Sequence, residues 1–162
     1  MDLSKLTDDE IVNLYSQTIK ELKARDIIRT KNVLGDLAEH LAVDIYCKTP
    51  GLPNLQKAPI GTQNIDAISR AGERYSIKAT TGNGTGVFSG LQPKGSTEKD
   101  KQKFEYVIVC KFDNDYRLKL IYELTWDVFV KHKKWHSTMK AWNLSLSKDL
   151  LKECRIIYDS DM

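Results

Sequence analysis

Three residues whose types and spacing suit chemistry on a charged substrate are Asp66, Ser76 and Lys78. They lie in the run NIDAISRAGERYSIKAT, residues 64–80, which reads as a β-hairpin. Ile65 to Ser69 form one strand, Arg70-Ala71-Gly72-Glu73 the turn, and Arg74 to Thr80 the returning strand. On such a hairpin Asp66 falls roughly opposite residue 77 or 78. Successive strand residues alternate faces, so Ser76 and Lys78 share one face and Ile77 takes the other. A carboxylate can then converge on a lysine and a small hydroxyl at one sheet edge. That arrangement suits proton transfer and charge stabilisation. It equally describes a simple ion pair across two strands.

The elements that must hold these residues are legible around them. Thr7-Asp8-Asp9-Glu10 is a capping box, and Ile11, Tyr15, Ile19 and Leu22 follow at helical spacing, which predicts a helix over 8–24. Leu34, Leu37, Ala38, Leu41 and Ile45 predict a second helix over 33–46. Residues 49–63, with Pro50, Gly51, Pro53, Pro59 and Gly61, read as a loop that a short strand enters. Thr80 to Gly90 reads as a flexible glycine-rich loop, continued by a polar, lysine-rich stretch over 91–103. Tyr106-Val107-Ile108-Val109-Cys110 is an apolar run expected as a buried central strand, with its return at Leu118, Leu120 and Tyr122. Thr125 caps a helix expected at 126–134, with Leu124 and Phe129 as its hydrophobic staple. Trp142 to Leu146 and Arg155 to Tyr158 are late strands around a short helix near 148–152. This order predicts one α/β (α+β) domain, a mixed β-sheet flanked by helices, over residues 1–162. Its parts are an N-terminal helix (1–30), a core (31–130) and C-terminal elements (131–162).

The order and the residues together resemble the PD-(D/E)XK nuclease superfamily, the restriction-endonuclease-like fold. Gly35-Asp36-Leu37-Ala38-Glu39 matches the helix that opens that fold with G-x-x-x-E. Asp66 matches the hairpin Asp, and Lys78 matches the lysine of the acid-x-Lys motif. The run Arg29-Thr30-Lys31-Asn32-Val33-Leu34-Gly35-Asp36 is similar to an R-T-x-N-x-x-G-D run of small members. The resemblance covers roughly residues 31–130 and makes Tyr106 to Phe112 the third strand of an αβββαβ core. It implies a Mg²⁺- or Mn²⁺-dependent DNA endonuclease, as in a type II restriction or defence-related enzyme. The metal ligands would be Asp66, Glu39 and the backbone carbonyl of Ile77. Lys78 would orient or help deprotonate the attacking water, or stabilise the developing negative charge. One departure stands out: Ser76 occupies the place of the second hairpin acid. A neutral hydroxyl is a weaker ligand for a hard cation. Glu39 would then have to supply the missing charge, with Asp36 one helical turn away and also able to approach. If it does not, the alternative is a catalytically inactive nucleic-acid-binding protein that retains the fold.

Charge distribution bears on the partner. Net charge is +3, and residues 94–140 carry eleven basic against seven acidic side chains. Lys94, Lys99, Lys101 and Lys103 form one cluster; Lys131, Lys133, Lys134 and Lys140 form another. Such clusters favour a polyanion through counterion release, although a solvated lysine face looks the same in sequence. The expected DNA contacts are Gln63, Thr80, Thr81, Asn83, Lys94, Lys99, Lys101, Lys103, Lys131, Lys133 and Lys134. Trp126 and Trp135 are expected mainly as packing residues. If the substrate is duplex DNA, a homodimer would place two sites on opposite strands.

Other classes are excluded or unsupported. The chain is 162 residues with 41% hydrophobic and 29% charged residues, ordinary for a globular domain. No apolar run spans a bilayer, and the first residues lack the order of a secretory signal, so no membrane association and a cytoplasmic location are expected. Cys47, Cys110 and Cys154 are odd in number and form no CxxC pair, which suits reduced thiols. No GxxxxGK[ST] run is present, so no nucleotide cofactor is expected.

Overall fold

The computed structural model describes residues 1–162. Helix α1, Asp8–Ala24, begins at the expected capping box: Glu10 N–H donates to Thr7 Oγ1, and Thr7 N–H donates to Glu10 Oε2 at 2.8 Å. Helix α2, Val33–Lys48, begins where Asn32 Oδ1 accepts from Gly35 N–H at 3.2 Å. A Cβ at residue 35 would meet the Asn32 side-chain amide, so a larger residue there would displace the cap. The buried carboxylate of Asp36 accepts from Arg29 N–H, Thr30 N–H and Thr30 Oγ1. The Arg29–Asp36 run therefore folds back on itself and sets the entry of α2.

The main sheet has six strands in the order β1-β2-β3-β4-β5-β8. These are β1 (Leu55–Lys57), β2 (Ala67–Ser69), β3 (Arg74–Thr80), β4 (Tyr106–Phe112), β5 (Leu118–Thr125) and β8 (Arg155–Asp159). Only β3 and β4 pair in parallel; every other neighbour is antiparallel. Helix α3 is Trp126–His132 and α4 is Lys148–Lys152. A separate two-stranded ribbon joins β6 (Lys134–His136) to β7 (Ala141–Asn143). No helix is long and apolar enough to cross a membrane.

Strand alternation divides the interior into two cores. Ile108, Cys110 and Phe112 of β4 meet Ala38, Ala42 and Tyr46 of α2, together with Tyr75 and Ile77 of β3. Val107 and Val109 point the other way, into a cluster of Phe88, Phe104, Phe129, Leu144 and Leu150. The Cys110 thiol lies wholly in the first core, 3.8 Å from the carbonyl of Ala38. Residues 107–110 are all 0% exposed, which bears out the central strand.

Four expectations need correction. The first hairpin strand starts at Ala67, not Ile65, because Asn64 takes a left-handed φ of 59°. Asp66 nonetheless stays on the ladder, its N–H donating to Tyr75 O at 2.8 Å. Tyr106–Phe112 is the fourth strand rather than the third, since β1 adds an outer strand to the hairpin. The helix expected to reach 134 ends at His132, where the chain turns into the ribbon. Finally, the glycine-rich stretch is pinned rather than loose. Thr85 N–H bonds Leu144 O, Phe88 N–H bonds Trp142 O, and Phe88 is 1% exposed. A parallel β3–β4 pair needs a long crossover. Here residues 81–105 provide it, without a helix, and fix it by burying Phe88 and Phe104.

Candidate active site

The hairpin and α2 bring Asp66, Glu39 and Lys78 together. Asp66 stands just before β2 begins, beside the stretch of β3 that runs on past it. Its Oδ2 accepts from Ile77 N–H at 2.6 Å, so the side chain replaces the strand partner that Ile77 would otherwise lack. In a strand the N–H and C=O of one residue point to the same side. The Ile77 carbonyl is thereby directed toward the Asp66 edge. Glu39, one turn along α2 from Asp36, meets Asp66 across a cleft of about 200 Å³ that both residues line with Arg29, Thr30 and Thr62. Arg29 clamps Glu39: Nη2 lies 2.9 Å from Oε2, while Nη1 donates to Ala58 O.

The cleft is unfavourable for charge. Burial pushes the Glu39 carboxyl up, and the neighbouring Asp66 carboxylate pushes it further, against the pull of Arg29. Burial also raises Asp66, opposed by the Ile77 N–H bond and by Lys78. Lys78 is lowered by burial, with Asp66 and Glu39 acting in the other direction. Its ammonium donates to Val87 O at 3.0 Å and stands 4.7 Å from the centre of the Phe88 ring. Two like charges and one opposite charge are thus held partly out of water at a sheet edge.

Ser76 is 0% exposed on the face of Lys78, and its Oγ makes no well-formed hydrogen bond, although it stands near enough to Asp66 to favour its charged form. Asp36 lines the same cleft and adds to the rise of Glu39, but its Oδ2 is already taken by three donors of its own fold-back. No three Asp, Glu, His or Cys side chains gather around one point. The oxygen donors available to a cation beside Asp66 are the Asp66 and Glu39 carboxylates and, from the strand geometry, the Ile77 carbonyl, with Asp36 committed to its own donors. This hard, sparse set fits Mg²⁺, which keeps several waters and needs only one or two carboxylates. The like-charge crowding of Glu39 and Asp66 is the feature that a divalent cation would relieve.

The expected DNA contacts separate into two groups. Lys94, Lys99, Lys101, Lys134 and Thr81 are exposed, and Lys103 is half-buried. Exposed Gln63 donates to Ser89 Oγ at 3.3 Å. The other group already has structural partners. Thr80 Oγ1 is buried and donates to Gly84 O, closing the start of the crossover. Asn83 Oδ1 accepts from Lys111, and its carbonyl accepts from Leu146 N–H. Lys131 pairs with Glu153. Lys133 lies 2.7 Å from Asp100, the two side chains 13% and 6% exposed, and 3.7 Å above Trp142. These last two lysines bind protein carboxylates, so the second cluster is smaller than its sequence suggests.

Arg29 is the member that sequence reasoning left without a role. Its place in the Arg29–Asp36 run was visible, but its reach to Glu39 depends on the fold-back that Asp36 imposes. No protein-family profile matches the chain, and comparison with curated proteins gives no significant match.

Proposed function

We infer that the protein is a metal-dependent DNA endonuclease built on a restriction-endonuclease-like core. The observation that carries this reading is the convergence of Glu39 and Asp66 in one cleft, with the Lys78 charge coupled to both from the other face of the sheet, where burial opposes all three charges. Proteins retain such costly groupings most often at functional sites. Asp66, Glu39 and the Ile77 carbonyl would hold Mg²⁺ or Mn²⁺. A cation there supplies a water of lowered pKa and charge neutralisation at the phosphate. Asp66 is oriented for this by Ile77 N–H, and Glu39 by Arg29. Lys78, held by Val87 O, presents its ammonium beside the acids, where it stabilises negative charge growing on a phosphodiester. The exposed Lys94, Lys99 and Lys101 supply sequence-independent attraction to the backbone.

A second reading is favoured by one observation: Ser76 puts a neutral, buried hydroxyl where an acid would strengthen the metal site. On that reading the chain binds nucleic acid without cutting it. Supercoiled plasmid incubated with Mg²⁺ or Mn²⁺ separates the two. Nicking or linearisation by the wild type, lost in Asp66→Ala and Lys78→Ala, is the expected result. Salt-dependent DNA binding with no cleavage and no calorimetric Mn²⁺ binding would replace the first reading by the second.

A further inference from the structure

Helix α1 is the one long helix without a place in either core. None of its residues is fully buried, and no strand or other helix packs extensively along it. Yet its sequence is that of a packing helix. Ile11, Leu14, Tyr15, Thr18, Ile19 and Leu22 recur at i, i+3, i+4, i+7, i+8 and i+11, one continuous stripe. Tyr15 is 64% exposed, Val12 beside the stripe is 64% exposed, and Ile11 is 37% exposed. Leu14, Ile19 and Leu22 are half-buried, so a helix of 17 residues, about 25 Å long, carries an apolar face that is only partly covered.

Its charges select the occupant. Asp8, Asp9 and Glu10 crowd the first turn, whereas Lys20, Lys23 and Arg25 lie at the other end. We propose that α1 pairs antiparallel with α1 of a second copy of this chain. In the register that matches the stripes, Ile11 faces Leu22 of the other copy, Leu14 faces Ile19, and Tyr15 faces Thr18. The same register brings Asp8 toward Lys23 of the other copy, and the two-fold axis repeats the pairing, while Glu10 and Arg25 stay with Thr7 and Glu21 of their own helix. A parallel pair would instead set the acidic turns of both copies side by side, which like-charge repulsion disfavours. A membrane surface fits less well, because α1 carries four acids against two lysines over residues 8–24. The same balance disfavours nucleic acid.

Sedimentation equilibrium of the full chain tests this without reference to cleavage. The expected result is a dimer that dissociates in the micromolar range, as befits a small interface. Tyr15→Asp changes an exposed side chain and should weaken association about tenfold or more while leaving the circular dichroism unchanged. Asp8→Lys and Lys23→Asp should each weaken self-association, and an equimolar mixture of the two variants should recover it, because both flanking pairs become attractive again only in the mixed dimer. Any intrinsic effect on helix stability persists in the mixture, so recovery reports pairing alone. A monomer at about 0.1 mM, a dimer indifferent to Tyr15→Asp, or a mixture no tighter than its components would overturn the proposal. So would α1-dependent binding of duplex DNA or anionic vesicles by a monomer.

Discussion

Burial raises the proton affinity of both Glu39 and Asp66, and the Asp66 carboxylate raises that of Glu39 further. A folded-state pKa above the unfolded value means that the folded protein holds the proton more tightly. The stability each acid contributes is therefore full at low pH and falls as pH climbs from the ordinary carboxylate range through the raised value. Asp66→Asn keeps an oxygen to accept from Ile77 N–H but removes the charge. Its urea midpoint should exceed that of the wild type at pH 8 and approach it near pH 4, while metal-dependent cleavage disappears. Mn²⁺ should raise the midpoint of the wild type at pH 8 by mass action and leave Asp66→Asn unmoved. A variant less stable than the wild type at pH 8 would show that the carboxylate holds the fold rather than strains it. Asp66 and Lys78 were visible in the sequence because a hairpin converts spacing directly into proximity. Glu39 was reached only through the resemblance, since nothing local ties a helix to a strand edge. Arg29 was not assigned, because its position depends on three hydrogen bonds to Asp36 that spacing does not encode.

At the scale of elements, the crossover between β3 and β4 shows where pattern reading ends. Helix starts were legible because caps are local: Thr7, Thr125 and Ser147 each accept from a backbone N–H three residues on. The crossover has no such grammar. Its two anchors, Phe88 and Phe104, stand isolated among glycines and polar residues, and their partners lie far along the chain at Phe129, Leu144 and Leu150. Asp100, on the same segment, is tied to the ribbon side by Lys133 and receives Gln92 N–H. Removing one partner of a buried ion pair costs about 3 kcal/mol. Lys133→Ala should lose stability on that scale, because Asp100 would remain buried and unpaired. It should not flatten the salt dependence of DNA affinity. Replacing Lys99, Lys101 and Lys103 together should do the opposite, leaving stability nearly unchanged and lowering the log–log salt slope by roughly one unit per lost phosphate contact. Titrations of duplex DNA at several salt concentrations, beside urea unfolding of both variants, distinguish a structural lysine from a surface one.

Across the whole molecule, the site spans a joint between layers. Glu39 belongs to the helical layer on one face of the sheet, Lys78 points to the opposite face, and Asp66 sits at the edge between them. The mixed α+β architecture was legible from the order of periodic segments, whereas the parallel β3–β4 pairing was not, because strand direction depends on where a connection crosses rather than on strand composition. The same two-layer build gives the three thiols very different chemical lives. Cys47 is exposed on α2 and Cys154 is partly covered, with its thiol pushed up to about 11. Cys110 is sealed between β4 and Ala38 of α2, its thiol pushed up to about 12. A maleimide or disulfide reagent should therefore modify Cys47 at once and reach Cys110 only when α2 lifts from the sheet. Because α2 also carries Glu39, the slow labelling of Cys110 becomes a clock for how often the molecule takes its own cleft apart.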